Sequence, residues 1–160
     1  MNDLISKDTH VTEYQLSEFQ TLINILFQCC QDRLQFQSQK FELPDAELRC
    51  LMLFENERYL TSKNISLTMN VGKSRMTKII SGLLNKGLIK RIKDPEDFRV
   101  SLISLTPSGK DKLSRIRLFQ DELHRVVLSQ VDDGQRKRLL TTLDLLKACM
   151  ETGKEFMAEK

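Results

Sequence analysis

The sequence predicts a mainly α-helical protein in which one short β-hairpin interrupts a series of helices. Gly and Pro are scarce, with six and three among 160 residues, and most of them lie where helices would start or stop. Apolar residues recur at three- and four-residue spacing through most of the chain, as in helices with one apolar face. Only residues 88–105 contain two short runs rich in Ile, Val and Leu, separated by a turn-forming cluster.

Two helices are predicted in the N-terminal third. The first runs from about Val11 to Lys40, without Gly or Pro, and then Leu43-Pro44-Asp45 ends it and opens the second. The apolar residues of the first helix have the spacing of a buried stripe: Phe19, Leu22, Ile23, Leu26, Phe27, Cys30 and Leu34. In the second helix the residues expected to point inward are Leu48, Leu51, Met52 and Phe54.

The middle of the chain predicts two helices joined by a short turn, followed by the hairpin. A short helix from about Thr61 to Met69, capped by Thr61 or Ser62, precedes the turn Asn70-Val71-Gly72. The next helix runs from about Lys73 to Lys86 and ends at Gly87, with Met76, Ile79, Ile80 and Leu83 on one face. Residues 88–93 and 99–105 are the predicted strands, and the turn-forming cluster Asp94-Pro95-Glu96-Asp97 separates them. No other part of the sequence predicts a strand.

Two long helices are predicted after the hairpin. The first begins at Thr106-Pro107 and continues to about Val131, and the second runs from about Gln135 to Met157. This order of elements is that of a winged helix-turn-helix with a two-stranded β wing and long N- and C-terminal helices. We expect residues 45–110 to form a DNA-binding lobe, and residues 1–44 and 111–160 to form a helical dimerisation region, because their apolar stripes would stay partly exposed in a monomer.

The distribution of charge points to a polyanionic partner. Residues 61–115 hold 12 Lys and Arg and four acidic residues, a net charge of +8, whereas the rest of the chain carries −5. A helix fits the major groove of double-stranded DNA, where base edges can be read, and a hairpin beside it reaches the backbone. The candidate DNA-binding residues are Lys73, Ser74, Arg75, Thr77 and Lys78 on the helix, and Lys93, Asp97 and Arg99 on the hairpin.

At these residues the sequence resembles the multiple-antibiotic-resistance regulator (MarR) family of transcription regulators. The resemblance covers residues 45–110 and is carried by the stretches 70–80, 84–89, 94–100 and 105–110. The Asp-x-Arg motif of the family wing is matched by Asp97 and Arg99. The Leu-Thr-x-x-Gly junction is matched by Leu105, Thr106 and Gly109.

The resemblance implies more than the spacing does. It implies a homodimer held together by its first and last helices, a recognition helix in the major groove and a wing arginine in the minor groove. It also implies a small aromatic ligand between the dimerisation and DNA-binding parts. We therefore expect a repressor that binds a pseudo-palindromic operator and is released by an effector. Phe98 departs from the family, whose wing often has an arginine or a polar residue there.

Other classes of function are less well supported. No catalytic motif or phosphate loop is present and the two histidines, His10 and His124, are isolated, so we expect neither an enzyme nor a cofactor nor a metal site. Two alternatives stay open: a winged-helix protein-interaction module without DNA binding, and a redox-sensing regulator with Cys29 and Cys30 as candidates. Tyr14 and Tyr59 would line a ligand pocket or belong to the core. With no signal peptide and no apolar span, we expect a cytoplasmic protein without a membrane partner.

Overall fold

The computed structural model describes residues 10–93 and 101–158. Within these ranges the helices are α1 (Glu13–Phe41), α2 (Asp45–Met52), α3 (Ser62–Met69), α4 (Lys73–Asn85), α5 (Pro107–Ser129) and α6 (Asp133–Ala158), and a 3-10 turn, Leu53–Glu55, follows α2. The strands are β1 (Leu60–Thr61), β2 (Ile89–Lys93) and β3 (Ser101–Leu105). The mainly α winged helix-turn-helix predicted from the sequence is confirmed, and helix boundaries agree to within about two residues.

The sheet has one strand more than the sequence predicted. Its order is β1-β3-β2, and both pairs are antiparallel, with Leu60 opposite Ile103 and Arg91 opposite the same residue from the other side. The prediction of a two-stranded wing is confirmed by β2 and β3, whereas β1, outside the wing, was missed. Since β1 has only two residues and Thr61 already caps α3, it is too short to show an alternating pattern.

The core of the DNA-binding lobe is built from the apolar faces of α2, α3 and α4 and the inner side of the sheet. Its apolar side chains that are at most 2% exposed are Leu43, Leu48, Cys50, Leu51, Ile65, Ile80, Leu83, Ile89 and Ile103. The inward orientation predicted for Leu48, Leu51 and Phe54 is confirmed, whereas Met52 is only partly buried. All four residues predicted for the apolar face of α4 are buried.

The apolar stripe of α1 is largely exposed in the single chain, as the sequence led us to expect of a monomer. Phe19, Leu22, Leu26 and Phe27 are 46–63% exposed, and the buried residues of α1 are confined to its C-terminal end. The described part of α6 contains no buried residue at all. Periodic spacing identifies an apolar face, but it does not tell whether the same chain covers that face.

The chain separates into two compact units. The first ends at Leu113, and the second begins at Ser114 and contains the rest of α5 together with α6. The expected division into a lobe of residues 45–110 and a dimerisation region of residues 1–44 and 111–160 stays a prediction. In the described ranges, none of the helices combines the length and apolarity that crossing a bilayer requires.

A short junction holds the end of α4, the start of β2 and the start of α5 together. The Thr106 hydroxyl donates to the Gly87 carbonyl oxygen at 2.6 Å and accepts from the Gly109 amide at 3.0 Å, so it caps α5 and binds the glycine that follows α4. The Thr106 amide donates to the Leu88 carbonyl oxygen at 3.0 Å. Gly109 is needed because a Cβ at this position would collide with the same Leu88 oxygen.

We expect Gly109→Ala to lower the free energy of unfolding by about 1–3 kcal/mol, because a backbone carbonyl cannot move aside as a flexible side chain would. Gly153 of α6 is the matched control, since nothing lies within 4 Å of a Cβ built there. Gly153→Ala should raise the stability by about 0.5–1 kcal/mol. Urea denaturation at one protein concentration measures both. Equal effects of the two substitutions would contradict the close approach at Gly109.

Candidate nucleic-acid interface

Helix α4 has one buried and one exposed face, as the sequence predicted. Met76, Ile79, Ile80 and Leu83 face the core of the lobe and are at most 5% exposed. The predicted contact residues of the other face are all exposed: Lys73, Ser74, Arg75, Thr77 and Lys78. The structure therefore brings these five side chains together on the first turn and a half of one helix, on a surface that contributes nothing to the core.

The turn between α3 and α4 is fixed by hydrogen bonds. Asn70 adopts the left-handed conformation (φ 51°), and the Val71 amide donates to the Ser66 carbonyl oxygen at 3.2 Å. The Ser66 hydroxyl then donates to the Val71 carbonyl oxygen at 2.6 Å. These bonds end α3 and direct the chain into α4 without using any residue of the exposed face.

The first turn of α4 favours an anion. Gly72 is the N-cap residue and provides no side chain to accept from the first amides of the helix. Those amides and the helix dipole thus present partial positive charge beside the side chains of Lys73 and Arg75. Thr77 is less available as a donor, because its hydroxyl already donates to the Lys73 carbonyl oxygen at 3.0 Å. The Thr77 oxygen can still accept a hydrogen bond from DNA, and its methyl group can make an apolar contact.

A groove of about 430 Å³ lies between α3, α4 and β2. Its floor includes Met76 and Ile80, and Lys63, Lys73 and Arg91 contribute cations to its lining. The described residues of the lining are Ser62, Lys63, Ser66, Leu67, Lys73, Met76, Thr77, Ile80 and Arg91, and none of these is acidic. The helix-turn-helix and the wing strand therefore form one continuous cationic surface.

The wing strand also contributes exposed cations. Arg91, which lines the groove, and Lys93 lie on the same face of β2, whereas Lys90, also exposed, lies on the opposite face. Lys93 pairs with Ser101 at the end of the described ladder. The predicted wing residues Asp97 and Arg99, like Phe98, lie outside the described residues. Their roles stay predictions.

Two basic residues of the +8 segment are used inside the fold. Lys86 Nζ lies 2.8 Å from Glu47 Oε2 of α2, and the side chain of Glu47 is only 11% exposed. Lys112 Nζ donates to the Phe41 carbonyl oxygen at the end of α1, at 3.2 Å. Sequence reasoning missed Glu47, because an acid in an amphipathic helix is normally assigned to the solvent-exposed face. Gly82, a glycine in the interior of α4, is the sequence signal that could have indicated a close contact of this kind.

The four cysteines have different environments. Cys29, Cys30 and Cys149 are exposed, whereas Cys50 is buried in α2. Burial, with a smaller contribution from the neighbouring Glu47 carboxylate, raises the pKa of the Cys50 thiol to about 12. In the described ranges no three His, Cys, Asp or Glu side chains are grouped as metal ligands would be. A redox role of Cys29 and Cys30 stays a hypothesis.

The tyrosines do not belong to the core. Tyr14 is 74% and Tyr59 is 41% exposed, and the Arg58 guanidinium lies 5.2 Å from the centre of the Tyr59 ring. The interpretation of these two residues as core side chains was therefore wrong for the single chain. Their proposed part in a ligand pocket is a separate matter and stays a prediction.

The lobe is similar to known proteins. The model of the MarR family matches residues 43–101. An uncharacterised HTH-type transcriptional regulator of Bacillus subtilis, YdgJ, is 22% identical over 130 residues, which are 81% of this chain and 73% of YdgJ. A MarR family protein from Bacillus stearothermophilus superposes with a TM-score of 0.79 and 18% identity, covering 89% of this chain and 99% of that one. Streptococcus pneumoniae FabT, solved in complex with DNA, gives a TM-score of 0.74 and 16% identity over 84% and 98%.

The order of the helices, the cationic face of α4 and the hairpin beside it define a winged helix-turn-helix protein. The family model matches the part of the chain that contains this site, and the superposed structures share the fold over more than four fifths of its length. Residues 43–101, which contain most of this site, are similar to the model of the MarR family, and the curated relatives are named as HTH-type transcriptional regulators. These similarities agree with the prediction of a transcription regulator and not an enzyme.

The buried thiol gives a test of the cysteine assignments. The variant Cys29→Ser/Cys30→Ser/Cys149→Ser keeps Cys50 alone. With a pKa of about 12, only about one Cys50 thiol in ten thousand is ionised at pH 8, and the thiolate is the reactive form. We expect a disulfide reagent to label this variant only after unfolding in urea, as measured by intact mass. Rapid labelling in native buffer would contradict the burial of Cys50.

Proposed function

We propose that the protein binds double-stranded DNA in a sequence-specific way, with α4 in the major groove and the wing beside it. The observation that carries this proposal is the exposed polar face at the start of α4, continuous with the cations of the α3–α4–β2 groove. Such a surface offers point charges for phosphates and donors for base edges on adjacent elements. The DNA complex of FabT, which shares the fold, agrees with this use of the lobe.

Individual residues have different parts in the proposal. Arg75 lies early on the exposed face of α4, where an arginine can donate two hydrogen bonds to a guanine edge. Lys73, Lys78 and Lys93 act on phosphates, and Ser74 and Thr77 add short polar contacts. For the wing we keep the hypothesis that Arg99 enters a narrow minor groove, where the negative potential is enhanced, and that Asp97 orients it.

The protein acts as a homodimer in this proposal. Exposed apolar residues occur along both α1 and α6, among them Leu22 and Phe27 on α1 and Leu140 and Leu143 on α6, all at least 45% exposed. Faces of this kind are typical of interfaces, and a two-fold dimer presents two copies of α4 to a pseudo-palindromic site. In this proposal the protein is a cytoplasmic repressor that occupies the pseudo-palindromic operator, and a small aromatic effector releases it from the DNA.

The first experiment identifies the DNA. The purified full chain is used to select duplexes from a library with a randomised centre, and the affinity for the recovered duplex is compared with that for a scrambled duplex of the same composition. We expect recovery of a pseudo-palindrome and an affinity that falls steeply with salt. Binding that does not distinguish the two duplexes, or no binding at all, would refute sequence-specific recognition.

The second experiment separates base reading from anchoring. Arg75→Ala should lower the discrimination between selected and scrambled duplexes by about 1–3 kcal/mol, because a base contact is lost. Lys93→Ala should weaken both duplexes alike and reduce the salt slope by about one unit. Lys137→Ala is the control: Lys137 is an exposed α6 residue paired with Asp133 at 2.8 Å, and its loss should change neither quantity. An unchanged ratio for Arg75→Ala would show that Arg75 does not read bases.

The dimer is tested by removing α6. Without residues 135–160 the exposed face of α1 loses its proposed partners, so we expect a monomeric or aggregating protein with weakened DNA binding. Analytical ultracentrifugation gives the mass, and the selected duplex gives the affinity. A soluble monomer with full affinity would refute dimerisation through the termini.

A further inference from the structure

One buried carboxylate of α2 contacts the C-terminal part of α4 in two places. Glu47, 8% exposed, accepts a hydrogen bond from Lys86 Nζ at 2.8 Å through Oε2. Its other carboxylate oxygen lies against Gly82, so close that a Cβ at position 82 would overlap it. The absence of a side chain at Gly82 thus lets the carboxylate rest on the backbone of α4, and Lys86 holds it there.

We propose that Glu47 and Lys86 are positioning residues that set the tilt of α4 against α2, and thereby the position of its DNA-reading end. This inference rests on the proposed function, since it assigns the pair to the accuracy of base reading. Neither residue is placed in contact with a base. They act through α4.

The lever arm of α4 explains why such a small contact matters. Arg75 and Lys86 are eleven residues apart, which corresponds to about 16 Å along a helix. A tilt of about 5° about the Lys86 end therefore moves the backbone of Arg75 by about 1.4 Å. A hydrogen bond to a base edge tolerates only about 0.5 Å in donor–acceptor distance. Contacts with phosphates made by long flexible lysines tolerate such a shift, so base reading should suffer first.

A buried carboxylate also gives the contact a defined geometry. Because an unpaired carboxylate inside the lobe would cost free energy, the ion pair between Glu47 and Lys86 is favoured over its separation. Apolar packing by itself is non-directional and permits small rotations of one helix on another. The pair from α2 to α4 restricts those rotations at the end of α4 that is remote from the proposed DNA contacts.

The test compares variants that keep the size of each side chain. Glu47→Gln removes the charge, Lys86→Met removes the ammonium group, and Lys86→Arg keeps a cation. All are measured on the selected and the scrambled duplex, at a temperature where circular dichroism shows each variant folded. We expect Glu47→Gln and Lys86→Met to lower the selected-to-scrambled ratio about tenfold, with little change on the scrambled duplex, and Lys86→Arg to retain most of it.

Different results would overturn the inference. If Lys86 is a phosphate contact that Glu47 merely neutralises, Glu47→Gln tightens binding to both duplexes and Lys86→Met reduces the salt slope. If the pair serves only stability, the melting temperature falls while the ratio stays the same. Failure of the wild-type chain to discriminate would instead refute the proposed function, so the two failures are distinguishable.

Gly82 provides an independent double-mutant cycle. Gly82→Ala should displace the carboxylate and lower the ratio about tenfold, whereas Glu47→Ala makes room for the new methyl group. Glu47→Ala/Gly82→Ala should therefore lose no more than Glu47→Ala alone. Gly153→Ala controls for adding a methyl group to a helix. Multiplicative losses in the double variant, or no loss in Gly82→Ala, would show that contact at Gly82 does not position α4.

Discussion

Burial of one face of α4 is the constraint on which the rest of the lobe depends. Met76, Ile79, Ile80 and Leu83 are at most 5% exposed, and burying each such side chain contributes about 1.5–3 kcal/mol. A typical hydrogen bond contributes about 0.5–1.5 kcal/mol net. The rotation of α4 about its own axis is therefore set by its apolar side. The polar side becomes exposed by the same rotation, without any contact that holds it outward.

Hydrogen bonds then determine where α4 begins and ends. At its start, the left-handed Asn70 and the bonds between Ser66 and Val71 close the turn from α3. At its end, the Thr106 hydroxyl bonds the Gly87 carbonyl oxygen while capping α5. These contacts are directional, unlike hydrophobic burial, so they fix length and direction where apolar packing fixes only the face. Neither set of contacts uses a side chain of the exposed polar surface of α4. Among the described residues, the Thr77 hydroxyl is the member of that surface that bonds within the fold.

The sequence predicts best what depends on local periodicity. The four buried residues of α4 and its exposed cations follow from a repeat of 3.6 residues, and the cap of α5 at Thr106 follows from the local sequence. The strand β1 was missed because two residues carry no period. Glu47 was missed because its partner lies 39 residues away, and its burial depends on the missing side chain at Gly82. The apolar stripe of α1 and its partial exposure in a monomer were predicted correctly, but spacing does not identify the molecule that covers such a face.

The charge of the lobe can be counted from the sequence, but the location of each charge on the surface depends on the fold. A net charge of +3 for the whole chain is unremarkable, and even the +8 of residues 61–115 counts cations that the fold uses, such as Lys86 and Lys112. At physiological salt, interactions between exposed charges fade over about 8 Å. A polyanion therefore responds to the local surface and not to the total. On that surface α3, α4 and β2 bring Lys63, Lys73 and Arg91 to one groove whose described lining includes no acid. Because the cations used by the fold lie elsewhere in the lobe, the groove keeps its positive potential although the chain as a whole is nearly balanced.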